Sequence, residues 1–165
     1  MNFKKMFVCQ SELDSVICAT HNLNPEELYF GKVLALLVEL GEVCNEARFF
    51  KYWSKDQEPR EGLKEELADC LHFLLSIGIS NGVASFPWDD VLFVPETDVD
   101  WISVEGIELF RDCCGLADDI SISYWRKVLG KFLRFSTDLG ISEEELEEEY
   151  WRKNEVNHKR QEAGY

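Results

Sequence analysis

Two pairs of acidic residues, Glu39 with Glu42 and Glu66 with Asp69, lie at mirrored distances on either side of position 54. Each pair is spaced three residues apart, which puts its members on one side of a helix. Helical periodicity surrounds both pairs, and strand alternation hardly occurs in the chain. Between them, Ser54-Lys55-Asp56-Gln57-Glu58 forms a polar break. If the chain turns back there as an antiparallel helix hairpin, the four carboxylates face one another with a stagger of only a few ångströms, at about 1.5 Å of rise per residue. The expected fold class is all-α, a bundle built around that helix pair.

Start and stop signals place the other helices. A first helix is expected over Phe3–His21. Asn24-Pro25-Glu26-Glu27 supplies an N-cap, a proline at the first helical position and a glutamate at the third, opening a helix that can run to Tyr52 or Trp53. Pro59 suits the first turn of the next helix, which reaches about Ile79. Residues 81–100, with Gly82, Pro87 and Pro95, read as an irregular connection. Helices return over Val104–Ala117 and from about Asp119 to Leu139, and Ser142 with Glu145 forms a capping box for the last one. Five or six helices in one domain spanning 1–165 is the expected organisation.

Four converging carboxylates repel one another unless some protonate or a divalent cation lies between them. Oxygen-only ligands point to Mg²⁺, with Mn²⁺ as an alternative. A salt-bridged structural face remains open on spacing alone, because E-x-x-E arises by chance in a chain with 32 Asp and Glu. Against it, Ala35, Val38 and Phe49 share the acid-bearing side, and the third helix is apolar over most of its circumference.

The 32 acids stand against 17 Lys and Arg, a formal charge of −15. That balance argues against nucleic acid and against an anionic membrane surface as partners. No uncharged apolar run is long enough to span a bilayer. The six cysteines form no CxxC pair and show no zinc-ligand spacing with the three histidines. A reduced, cytoplasmic protein is expected. The six glutamates of 143–149 alternate with Leu146 at helical spacing and read as a solvated helix face.

Glu39-x-x-Glu42, 23 residues, then Glu66-x-x-Asp69 resembles the E-x-x-E…E-x-x-D signature of the all-α nucleoside triphosphate pyrophosphohydrolases, which include the MazG-like enzymes and the dimeric dUTPases. Flanking segments resemble the dimeric dUTPase branch, in the form found in Gram-positive bacteria and their phages. They are Gln10-x-x-Leu13-Asp14, Phe50-Lys51-Tyr52-Trp53-Ser54-Lys55, Asp69-x-x-His72-Phe73, and the C-terminal Tyr150–Gln161 run ending in Gly164-Tyr165. The likeness covers the first 80 residues and about the last 16; residues 81–140 fall in a region that varies in the family. Asp14 departs from relatives that place Asn there.

The resemblance implies a homodimer that hydrolyses dUTP to dUMP and pyrophosphate, with dUDP as a further candidate substrate. Glu39, Glu42, Glu66 and Asp69 would hold two or more Mg²⁺ ions, and Glu42 would also orient and deprotonate the water that attacks the β phosphorus. Gln10, Asp14 and Asn157 would approach the uracil edge, Trp53 would stack on the base, and His72 would pack against the deoxyribose. Lys153 and Arg160, assisted by Lys55, would complement phosphate charge. This chemistry needs positioning and charge neutralisation rather than a Ser or Cys nucleophile, and no nucleophile elbow, P-loop or glycine-rich dinucleotide motif occurs. The competing readings are a MazG-like enzyme acting on another nucleotide such as dCTP, and a helical interaction module without catalysis.

Overall fold

The computed structural model describes residues 1–83 and 101–164, so the expected irregular connection lies mostly outside the described residues, as does Tyr165. Among the described residues the regular secondary structure is all helical: α1 (Phe3–His21), a 3₁₀ turn (Pro25–Glu27), α2 (Tyr29–Ala47), α3 (Leu63–Ser80), α4 (Ile102–Gly115), α5 (Ile122–Asp138) and α6 (Glu143–Glu162).

Local chemistry sets most of the ends. Asn2 caps α1 by accepting from the Lys5 N–H, and Asn22 closes it in the left-handed region at φ 52°. Asn24 does cap a helical segment, but that segment is only the 3₁₀ turn; α2 begins at Tyr29. It also stops five residues short of Tyr52. Arg48 enters the left-handed region at φ 63°, which costs a non-glycine residue roughly 1–2 kcal/mol. Its guanidinium offsets that cost by donating to the Asp56 carbonyl at 2.6 Å and to Ser54 Oγ at 3.2 Å. Pro59 therefore lies in a structured loop rather than a helix, and the Arg60 N–H donates to the Glu46 carbonyl, tying the loop's end to α2. The expected box at α6 is present in both halves: the Glu145 N–H donates to Ser142 Oγ, and the Ser142 N–H donates to Glu145 Oε2.

One apolar core draws buried side chains from all six helices, including Met6, Leu36, Leu71, Leu109, Phe132 and Leu146. α3 is central, packing on α2 most extensively and also on α6, α1 and α5. The α2–α3 pair is antiparallel: Lys32, near the start of α2, donates to Ser80 at the end of α3. Gly78 allows α5 to approach α3. A Cβ there would come within 2.7 Å of the Trp125 ring, whose indole N–H donates to the Leu74 carbonyl at 2.8 Å.

The glutamates of α6 are exposed or half-buried as expected, but they also dock the helix. Glu143 and Glu147 flank the N-terminal ammonium, Glu145 pairs with Lys64, and Glu149 pairs with Arg152.

Candidate active site

The antiparallel pairing brings Glu39 of α2 against Glu66 and Asp69 of α3, with one oxygen from each within 4.8 Å of the others. All three carboxyls are half-buried. Burial raises each above its ordinary pKa; repulsion within the triad adds to this for Glu39 and Glu66, Glu65 adds to it for Asp69, and Glu66 is pushed up to about 7. Three acids crowded this way bind a proton or a cation more readily than separate surface acids do. Oxygen-only donors at this spacing fit a hard divalent ion such as Mg²⁺. Glu42 stands apart: it is exposed and lies outside the triad, close enough for its charge to raise Glu39 further.

α6 supplies the opposing charge. Lys153 is buried, with Nζ 2.6 Å from Asp69 Oδ2 and 2.7 Å from Glu65 Oε1. Burial works against its charge, but those carboxylates outweigh burial and hold the ammonium above its ordinary pKa. Arg152 reaches Glu65 from the solvent side at 3.2 Å. Glu65, absent from the sequence-derived site, thus tethers the two cations beside the triad.

A cleft of about 420 Å³ leads away from Glu39 and Asp69 between α1, α2, α3 and α6, a size suited to a small ligand. Gln10, Asp14, His72, Asn157 and Arg160 line it, and so do Lys32, Phe73 and Ser76. Trp53 and Lys55 do not. They sit on the exposed α2–α3 loop, where Trp53 packs edge-on against Tyr52 and Phe50.

A buried network fixes the cleft floor. Gln10 Nε2 donates to Asp14 Oδ1 at 2.8 Å, so its Oε1 is the acceptor facing His72 Nδ1 at 2.7 Å and the Tyr150 hydroxyl at 3.3 Å. His72 therefore carries its proton on Nδ1. Burial pushes its pKa down to about 3, so the ring is neutral, and its Nε2 has no hydrogen-bond partner among the described residues. Tyr150 stacks on His72 with ring centroids 4.3 Å apart. Lys32 and Ser76 stand in no sequence motif; their sequence signal is position, seven residues from an acid on each helix.

A protein-family model described as dUTPase matches residues 2–165. No curated protein matches the chain.

Proposed function

The chain belongs to the all-α dUTPase family and is a dUTP diphosphatase, and from that premise we propose that Glu39, Glu66 and Asp69 form its Mg²⁺-binding catalytic centre. The crowding of three half-buried carboxyls at the mouth of a nucleotide-sized cleft carries this reading. Glu39, Glu66 and Asp69 would hold divalent ions, which when bound would supply charge neutralisation for the triphosphate and lower the pKa of water.

The chain's own groups do the rest. Glu42, exposed beside the triad, accepts the proton of the attacking water. Cleavage between the α and β phosphates takes up one water and releases dUMP and pyrophosphate. Arg160, on the cleft wall, complements phosphate charge, and Lys153 does so once Asp69 is neutralised from another side. Gln10 and Asn157 contribute amide groups to the nucleoside end. His72, neutral and stacked on Tyr150, packs against the sugar.

The active form is proposed as a homodimer. Phe30, Leu34 and Val38 recur every four residues on α2, the helix that carries Glu39, and are 67%, 63% and 56% exposed. A continuous apolar stripe of this kind marks an interface rather than a solvent face, and a second copy supplies a matching stripe by two-fold symmetry. No described helix is long and apolar enough to cross a membrane. The cysteines described are free thiols, which supports a reducing cytoplasmic setting.

The test is pyrophosphate release from a panel of deoxynucleotides with Mg²⁺ and with EDTA. dUTP is expected to turn over preferentially and only with metal. Preferential turnover of dCTP or dATP, or full activity in EDTA, would sink this reading.

A further inference from the structure

Glu65 and Asp69 stand four residues apart on α3, a spacing that places two side chains on one face of a helix, one turn apart. The buried ammonium of Lys153 bridges them, with Nζ 2.7 Å from Glu65 Oε1 and 2.6 Å from Asp69 Oδ2. The two carboxylates are not equivalent. Asp69 belongs to the crowded triad and lines the cleft, whereas Glu65 does neither.

Glu65 is also held by its second oxygen. Arg152 donates to Oε2 at 3.2 Å, and Glu149, one turn earlier on α6, steadies that guanidinium at 2.5 Å. With Oε1 turned to Lys153 and Oε2 to Arg152, the half-exposed Glu65 carboxylate is fixed on the α6 side of the site.

An ammonium and a divalent ion compete for the same charge on Asp69. A buried charge that loses its only counter-charge is left uncompensated, which is costly. If Asp69 were the sole carboxylate on Lys153, cation binding at the triad would carry that penalty. Resting on the metal-centre reading above, we propose that Glu65 is a positioning residue for the metal: it retains Lys153 when a divalent ion claims Asp69. The ammonium keeps a carboxylate contact in both states, so the triad takes up the ion without stranding a buried charge. Glu65 thereby sets Mg²⁺ affinity without touching the ion.

The experiment is calorimetric titration of Mg²⁺, without nucleotide, into the unaltered chain, Glu65→Gln, Glu65→Asp, Lys153→Met and the double variant Glu65→Gln with Lys153→Met. Glu65→Gln, neutral and of nearly the same shape, is expected to raise the Mg²⁺ dissociation constant about 10-fold, a moderate effect because Glu65 is half-exposed. Glu65→Asp keeps the charge but draws it back from Lys153 by one methylene, and is expected to weaken Mg²⁺ comparably. In the Lys153→Met background, Glu65→Gln is expected to shift the constant by less than about twofold, because the ammonium that Glu65 retains is gone. A carboxylate that merely adds negative charge near the ion would be replaced fully by Asp, and its loss would weaken Mg²⁺ equally in both backgrounds. Either result overturns the proposal, and the Asp variant decides alone if Lys153→Met does not fold. A carboxylate that only docks α6 on α3 would lower the melting temperature equally in EDTA and in Mg²⁺ and leave the constant unchanged, which also overturns it. Failure of the unaltered chain to bind Mg²⁺ overturns the metal-centre reading and this one together, a different result from an unchanged constant in Glu65→Gln.

Discussion

Lys153 on α6 holds its ammonium 2.6 Å from Oδ2 of Asp69 on α3. Without metal, this buried lysine is the closest positive charge to the triad, and it also pins the C-terminal helix to the central one. Removing one partner of a buried ion pair typically costs about 3–5 kcal/mol, because the other charge is left uncompensated. Lys153→Met is therefore expected to lower stability in EDTA by about 3 kcal/mol. Mg²⁺ should recover more of that loss than it adds to the unaltered chain, since it restores positive charge at Asp69. Thermal unfolding of both proteins in EDTA and in Mg²⁺ measures the difference. An equal metal-induced rise in both would show that Lys153 and metal do not share Asp69.

The crowded triad also makes stability depend on pH. Glu66 titrates near 7 in the folded chain, well above its ordinary value of 4.5, and Glu39 and Asp69 are raised too. A folded pKa above the unfolded one means that the folded state holds the proton more tightly. The associated stability is present below about pH 4.5 and is lost as pH rises towards 7. In EDTA the chain should accordingly melt at a lower temperature at pH 8 than at pH 5.5. Glu66→Gln should flatten that slope, and Mg²⁺ should reverse it by favouring the deprotonated acids. Calorimetric titration of Mg²⁺ near pH 6.5 in buffers of differing ionisation enthalpy should register proton release. No release would place the metal elsewhere.

The meeting of the acidic residues is legible in the sequence because helical spacing is a local rule. Glu39, Glu66 and Asp69 needed only two helices and a turn to meet. Boundaries that depend on distant partners were not readable. α2 ends at Ala47 because Arg48 finds Asp56 and Ser54, and nothing in residues 44–53 encodes that reach. Lys32 is likewise silent, since its pairing across the cleft emerges only when α1 delivers Asp14 across the start of α2. The reading of Trp53 and Lys55 relied on resemblance, and the chain's own cleft does not include them.

Gly78 gives a prediction confined to the fold. Its Cα faces the buried Trp125 ring, and an added methyl would lie 2.7 Å from two ring carbons. Trp125 is fully buried and anchored by its N–H to Leu74, so the ring cannot yield cheaply. Overpacking of this kind costs about 1–3 kcal/mol, which for a chain of this size corresponds to a melting-temperature loss of roughly 5 °C. Gly78→Ala should show that loss while KM for dUTP stays unchanged, because the contact lies on the face of α3 turned away from the cleft. An unchanged melting temperature would mean that α5 shifts outward without penalty.

The α2 stripe carries the last prediction. Leu34 lies at its centre, between Phe30 and Val38, and is 63% exposed in the single chain. Burying such a side chain contributes about 1.5–3 kcal/mol, and a two-fold interface counts it twice. In the proposed dimer, Leu34→Asp removes that contribution and adds a carboxylate from each copy to the interface. The dimer dissociation constant should rise by about two orders of magnitude or more, read as a shift to monomer in sedimentation velocity at micromolar concentration. Val8, 56% exposed on α1, serves as the control: Val8→Asp should leave the dimer intact. Dissociation by the Val8 change but not by the Leu34 change would move the interface to α1.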